Sequence, residues 1–303
     1  MQFFQRIAGK ALGQGHKFKD PHGQRLREER ERQADSAPPA LPPTRPRALT
    51  GPASCNQHQS PLFGKLSAEL RNAIYEEVLA DGGPAVGRAL HLANMHQRLA
   101  CIRCFQEEDD DLPGWKHECW GWYYPDGTHR GPSPGHPADS SLLSLLQTCR
   151  LAYTEAIDIL YTHNKFVVRQ LKTLVDLERT TLPHRLHAIR YMHVDVPLDL
   201  PVDKPELTWP MYPPDPYHSM WVPACRVLSR MKGLQVLRVT VYDLNNQHRI
   251  YRQGNPDDMF VQLLEPLTDV KAAMFEVCLD APIDTSYVLG SLGAAPFSLV
   301  IRQ

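Results

Sequence analysis

The chain has 303 residues, 42% of them hydrophobic, and a formal net charge of −1 at pH 7. This is enough apolar material for a sizeable core in one large domain or two small ones. The near-zero charge provides no global field toward nucleic acid or an anionic membrane, and no run reaches the roughly 20 apolar residues that span a bilayer. Seven cysteines are not spaced as a secreted framework, and Met1 to Leu12 holds no continuous apolar run. The expectation is a cytoplasmic or nuclear protein with reduced thiols.

Residues 1–60 carry ten Lys or Arg and five Asp or Glu, an excess of 10 − 5 = +5. Six of the fifteen residues from Pro38 to Pro52 are proline. Such a stretch cannot bury enough apolar surface to offset the entropy of ordering it, so it reads as a disordered, basic, Pro-rich tail. "QRLREERERQ" within it has the composition of a short helix. "MQFFQRIAGKAL" is basic and faintly amphipathic, which suits a flexible tail better than a mitochondrial leader.

Order begins at "PLFGKLSAELRNAIYEEVLA", Pro61 to Ala80. Leu70, Ile74 and Val78 recur at helical spacing, Ser67 is a suitable N-cap, Glu69 suits the positive end of the helix dipole, and Asp81-Gly82-Gly83 ends the pattern. The helix is too short to stand alone, so some face of it must be covered. Two readings differ over which. Either Leu70, Ile74 and Val78 pack on the core with Tyr75 closing the contact, or Phe63, Leu66 and Ile74 present an apolar patch to a partner.

Residues 84–139 are rich in Gly, Pro, Asp and aromatics, with one strand-like stretch at "RALHLANM". Here "CIRCFQEEDDDLPGWKHECWGW" places Cys101 and Cys104 at the spacing that lets two thiolates share a tetrahedral zinc. His117 and Cys119 follow, and an i, i+2 pair on extended chain faces one side, so the four residues make a candidate Cys₃His structural zinc site. The other reading is a pair of packed thiols beside Trp115, Trp120 and Trp122. The acidic run Glu107 to Asp111 reads as a solvated loop, because it lacks the glycine turn of a hard-cation loop.

"SLLSLLQTCRLAYTEAIDILYTHN" is the clearest helix, with Leu142, Leu145, Leu146, Cys149, Ala152, Tyr153, Ala156 and Leu160 on one stripe. "KFVV" reads as a strand. Beyond it "HAIRYMHVDV", "LQVLRVTVYDL", "KAAMFEVCLD" and "FSLVIRQ" read as strands, with "YHSMWVPACRVLSRM" and "PDDMFVQLLEPLTDV" as helices. Strand–helix–strand alternation implies right-handed crossovers and parallel neighbours. Strand centres near residues 191, 238 and 276 suggest a degenerate repeat.

No Walker loop, G-x-S-x-G, H-E-x-x-H or G-x-G-x-x-G is present. His184, His187 and His193 lie near Arg185 and Arg190, in a setting that reads as a mixed polar rim. Trp209, Tyr212, Tyr217 and Trp221 lack the basic groove that single-stranded nucleic acid needs.

The opening resembles the F-box-type pattern "L-P-x-E-[LI]-[RL]-x-x-I-[YWF]" through Leu66, Glu69, Leu70, Arg71, Ile74 and Tyr75, with Ser67 in place of the usual proline. Thr148, Cys149, Arg150, Tyr153, Glu155, Ala156, Leu160, Tyr161, Asn164 and Phe166 resemble the second block of a large uncharacterised fungal family that has such openings. "LPHRLHAIRYMHV" resembles its next strand. Together with the strand–helix alternation, this gives an expected α/β fold in which an F-box-like helix and a long second helix pack on a degenerate leucine-rich-repeat-like, mostly parallel sheet. The expected division is a tail, 1–60, and one globular domain, 61–303, made of the F-box-like part (61–83), the Cys/Trp-rich insert (84–139) and an α/β remainder (140–303). The expected function is a non-enzymatic protein–protein interaction module, a substrate-recruiting adaptor that meets the SCF-type ubiquitin-ligase adaptor through Phe63, Leu66, Ile74 and Tyr75. The alternatives are a zinc-stabilised structural or regulatory module, and an enzyme of unrecognised type. A structural zinc is the one cofactor the residues suggest.

Overall fold

The computed structural model describes residues 40–41, 57–81, 88–95, 98–104, 122–123, 129–130, 140–198, 216–243, 256–281 and 283–302. Most of the tail and of the Cys/Trp-rich insert, with the "QRLREERERQ" helix, the "MQFFQRIAGKAL" stretch and His117 and Cys119, therefore lies outside the described residues.

After a 3-10 turn at Gln57–Gln59 come α1 (Pro61–Lys65) and α2 (Ala68–Ala80). The hairpin β1 (Leu90–Met95) and β2 (Arg98–Arg103) follows, then a small ladder, β3 (Trp122–Tyr123) with β4 (His129–Arg130). The rest runs α3 (Ser140–Thr148), α4 (Arg150–Thr162), β5 (Lys165–Val168), α5 (Leu171–Thr180), α6 (Pro183–Leu186), β6 (Tyr191–Leu198) and α7 (Pro216–Arg230). It ends with β7 (Val236–Asp243), α8 (Pro256–Leu264), β8 (Met274–Asp280), α9 (Thr285–Leu292) and β9 (Ser298–Ile301).

The architecture is mixed α/β. Seven strands form one sheet in the order β2-β1-β5-β6-β7-β8-β9. Within this sheet β1 pairs antiparallel with β2, and each of its other neighbouring pairs is parallel. Alternation along each strand sorts the side chains. Leu90 and Leu92, Phe166 and Val168, Met192, Val194 and Val196, Leu237, Val239 and Val241, and Phe275, Val277 and Leu279 all join one core with the apolar faces of the helices. The other face carries a small cluster of Ala89, Ile102, Cys104 and Val167, and a polar row described below.

Several elements differ from the sequence expectation. The long helix breaks at Cys149, which is fully extended (φ −162°, ψ 166°) and accepts the Ala152 N–H on its sulfur at 3.4 Å. A side chain that caps the next helix competes with the backbone bond that would continue the previous one. α5 and α9 were not anticipated. α5 buries Leu171, Leu174 and Leu177 within ten residues, and α9 is announced by Asp284, whose carboxylate accepts the N–H groups of Ser286 (3.0 Å) and Tyr287 (3.1 Å). "CIR" is strand β2 rather than loop, because it pairs residue by residue with β1.

Contacts also reach back before residue 61. Gln57 Oε1 accepts the Leu151 N–H (2.9 Å), one of the orphan donors at the start of α4, and the Leu41 N–H donates to the Arg179 carbonyl (3.0 Å) at the end of α5.

Candidate functional site

α2 is held at both ends. Ser67 Oγ accepts the Leu70 N–H (3.4 Å), and its hydrogen bond to Glu69 holds that exposed carboxyl below the usual range. At the other end Asp81 takes a left-handed conformation (φ 53°) and its N–H bonds the Glu77 carbonyl. Arg88 (2.8 Å) and Arg103 (3.3 Å) secure the Asp81 carboxylate, and the Arg88 hydrogen bond leads in depressing its pKa. Arg103 also donates to the Val78 carbonyl at 2.9 Å, tying the helix to β2.

The middle of α2 is clasped to α4. The Arg71 guanidinium meets Glu155 through Nε (2.9 Å) and Nη2 (2.7 Å), a two-pronged ion pair. The Tyr75 hydroxyl donates to the same carboxylate (2.9 Å), and burial followed by that anion pushes its pKa up to about 12. Arg71 Nη1 also bonds the Leu66 carbonyl (2.9 Å), and the guanidinium lies over the Phe63 ring with 5.6 Å to its centroid. Asn164, just beyond α4, donates to the carbonyls of Leu79 (2.9 Å) and Leu160 (3.0 Å). Three residues that carry the resemblance, Arg71, Tyr75 and Glu155, thus meet one another, and a fourth, Asn164, ties the ends of the same two helices together.

This clasp decides which way α2 faces. Tyr75, Leu79 and Ala80 are buried. Leu70, Ile74 and Val78 are 56%, 38% and 40% exposed, a stripe at i, i+4, i+8 on the outside. The expectation that this stripe packs on the core is corrected: the paired Arg71 and Tyr75 turn α2 so that it faces solvent. Of the four expected partner-facing residues, Ile74 is exposed, Phe63 and Leu66 are half-buried, and Tyr75 is fully buried against Glu155. Leu70 and Val78 complete the outer stripe. The sequence signal for them was the helical spacing itself, assigned to the inner side.

The expected metal ligands do not come together where they are described. Cys101 packs at the edge of the main core, whereas Cys104 lies in the cluster on the opposite face. Three residues apart on an extended strand, side chains point to opposite sides, so this C-x₂-C does not form the turn that brings two thiolates to one ion. Among the described residues no three His, Cys, Asp or Glu converge as a metal set.

Among the described residues, a polar constellation lies on the sheet face opposite the helices. Asp195 is wholly buried, and His193 Nε2 lies 3.2 Å from its Oδ1, outside hydrogen-bond geometry. The same nitrogen is 2.8 Å from Thr240 Oγ1. Burial acts to raise the Asp195 pKa, but the charge of His193, with help from Arg169 and His91, outweighs it and holds the carboxyl below the usual aspartate range. A nucleophile–base–acid relay needs the hydroxyl and the carboxylate on different ring nitrogens. Here both address Nε2, so the arrangement pairs charge and does not activate Thr240. Nearby Cys278 donates to Glu276 (3.1 Å), and burial first, then that carboxylate, pushes the thiol up to about 11, so it is protonated at neutral pH. Arg185, expected at a polar rim, stacks on Tyr153 and Tyr161 with 5.2 and 5.6 Å to the ring centroids.

The Asp195 carboxylate sets a pH expectation. Its folded pKa is below its unfolded one, so its contribution to stability is present above the ordinary aspartate range and is lost as pH falls below it. Between about pH 5 and pH 2 the urea midpoint of the wild type should fall more steeply than that of Asp195→Asn. Equal slopes would show that the carboxylate is not held by its neighbours.

A family model described as a domain of unknown function (DUF7730) matches residues 55–295. No curated protein and no solved structure matches the chain.

Proposed function

The chain belongs to the DUF7730 family, whose description assigns no activity, and from that premise we propose that it is a non-enzymatic protein–protein interaction module that docks α2 into an apolar groove of a partner. The observation that carries this reading is the outward stripe of Leu70, Ile74 and Val78, mounted on a helix whose other side is fixed by Arg71, Tyr75 and Glu155. Exposed apolar side chains at helical spacing are the anchors of helix-in-groove recognition. Pre-ordering the helix lowers the entropic cost of docking.

The finer reading is an F-box-like adaptor. α2 packs against both α3 and α4, and those two pack on each other, so the insert leaves a three-helix group in place. β5 to β9 follow as parallel strands with their helices gathered on one face, in the manner of a degenerate leucine-rich repeat. The partner that fits this reading is the adaptor subunit of SCF-type ubiquitin ligases. The exposed carboxylates of Glu69 and Glu77 on α2 favour a groove rimmed by Lys or Arg.

Ile74→Asp tests it. The substituted side chain is exposed, so circular dichroism and melting temperature should stay as in the wild type, while binding to the purified adaptor in calorimetry should weaken at least tenfold. No adaptor binding by the wild type sinks the adaptor assignment. A wild-type interaction that Ile74→Asp and Leu70→Asp both leave intact sinks the α2 surface.

A further inference from the structure

β9 ends the sheet, and among the described residues its outer edge pairs with no other strand. The Arg302 N–H donates inward to the Leu279 carbonyl (2.9 Å). Backbone groups alternate sides along a strand, so Ser298, Val300 and Arg302 bond toward β8. Leu299 and Ile301 therefore direct their N–H and C=O groups outward. An extended backbone laid alongside satisfies such a row in register. Natural edges are usually blunted by charge, proline or a bulge, and "SLVI" has none of these. Val300 is 37% exposed on the sheet face away from the helices.

We propose that the outer edge of β9 is a strand-addition site for a second copy of this chain, paired antiparallel about Val300. The sequence is self-complementary in that register. Leu299 lies opposite Ile301 of the partner copy, and the reverse, in the two pairs that exchange backbone bonds. Val300 lies opposite Val300 of the partner copy, in the non-hydrogen-bonded pair where side chains come closest. β-branched residues facing each other there are favourable, and Ser298 opposite Arg302 of the partner copy avoids a like-charge contact. The sheet continues through the two-fold axis from one chain to the next. A four-residue edge makes a small interface, so the dimer is weak and concentration-dependent.

The register gives its own test. Non-hydrogen-bonded antiparallel pairs place Cα atoms about 4.5 Å apart, within the span of a disulfide. Under mild oxidation, full-length Val300→Cys should form a covalent dimer in non-reducing electrophoresis well above the wild-type background. Ser298→Cys should not, because its symmetry mate lies about 13 Å away along the strand. In sedimentation the wild type should rise from one chain of 34.4 kDa at low micromolar concentration toward two at several hundred micromolar. Leu299→Pro removes an outward N–H and no bond to β8, so it should stay monomeric. A monomeric wild type at every concentration, equal cross-linking of the two cysteine variants, or a dimer that survives Leu299→Pro each overturns the proposal. If Leu299→Pro unfolds, the two cysteine variants decide alone. An edge used instead by an extended segment of another protein would leave the wild type monomeric.

Discussion

Gly233→Ala should lower the melting temperature by roughly 10 °C. Gly233 sits in the buried turn between α7 and β7. A Cβ there would lie 1.9 Å from the His187 carbonyl oxygen and 3.1 Å from its carbonyl carbon. Both are backbone atoms, so no rotamer change relieves the clash. The His187 segment is itself fixed, because the Arg190 carbonyl accepts the N–H groups of Gln235 (2.8 Å) and Val236 (3.0 Å), and Arg190 Nη1 donates to the Gly233 carbonyl (3.0 Å). Removing a glycine usually gains about 0.4–1 kcal/mol by restricting the unfolded chain. Overpacking on backbone costs about 3 kcal/mol or more and outweighs that gain. In a domain of this size 1 kcal/mol corresponds to about 2–4 °C. Differential scanning calorimetry measures it, and a loss under about 2 °C would show that the two turns do not approach as described.

Asn164→Asp should destabilise more than Asn164→Ala, although it keeps the shape. Asn164 is 3% exposed and its amide nitrogen serves two carbonyls, Leu79 at the end of α2 and Leu160 in α4. Alanine strands those acceptors and costs about 2–3 kcal/mol. Aspartate presents a buried anion to the same two oxygens and costs upwards of about 3 kcal/mol at neutral pH. With no compensating donor, the folded pKa of that carboxyl is raised, so the variant recovers stability as pH falls and the group protonates. Denaturant midpoints at pH 7 and pH 5 separate the two. If aspartate is as well tolerated as alanine, or its deficit grows in acid, the amide does not bridge the helices.

Much of the architecture was legible from local pattern. Strands at β5 to β9 and helices at α7 and α8 follow from apolar runs of the right length and alternation, which depend on neighbours a few residues away. α5 is not legible in this way, because its pattern is short and follows β5 without a turn signal. β2 is hard to read locally because Cys101 within it and Cys104 just beyond it suggest a different chemistry, and pairing with β1 is a property of two segments.

The candidate surface divides in the same way. The sequence alone determines that α2 is a helix from Ala68, that Ser67 caps it, and that it has apolar residues on more than one side. It also places Arg71, Tyr75, Glu155 and Asn164 in recognisable blocks. It does not determine which side of α2 is covered, because Leu70, Ile74 and Val78 are as apolar as Tyr75 and Leu79 and recur with the same period. That choice is tertiary. Glu155 lies 84 residues from Arg71 in the chain, and its carboxylate collects both guanidinium bonds and the Tyr75 hydroxyl. A partly desolvated charge costs more to leave unpaired than an apolar stripe costs to expose. The helix therefore turns Arg71 and Tyr75 inward and leaves Leu70, Ile74 and Val78 outside.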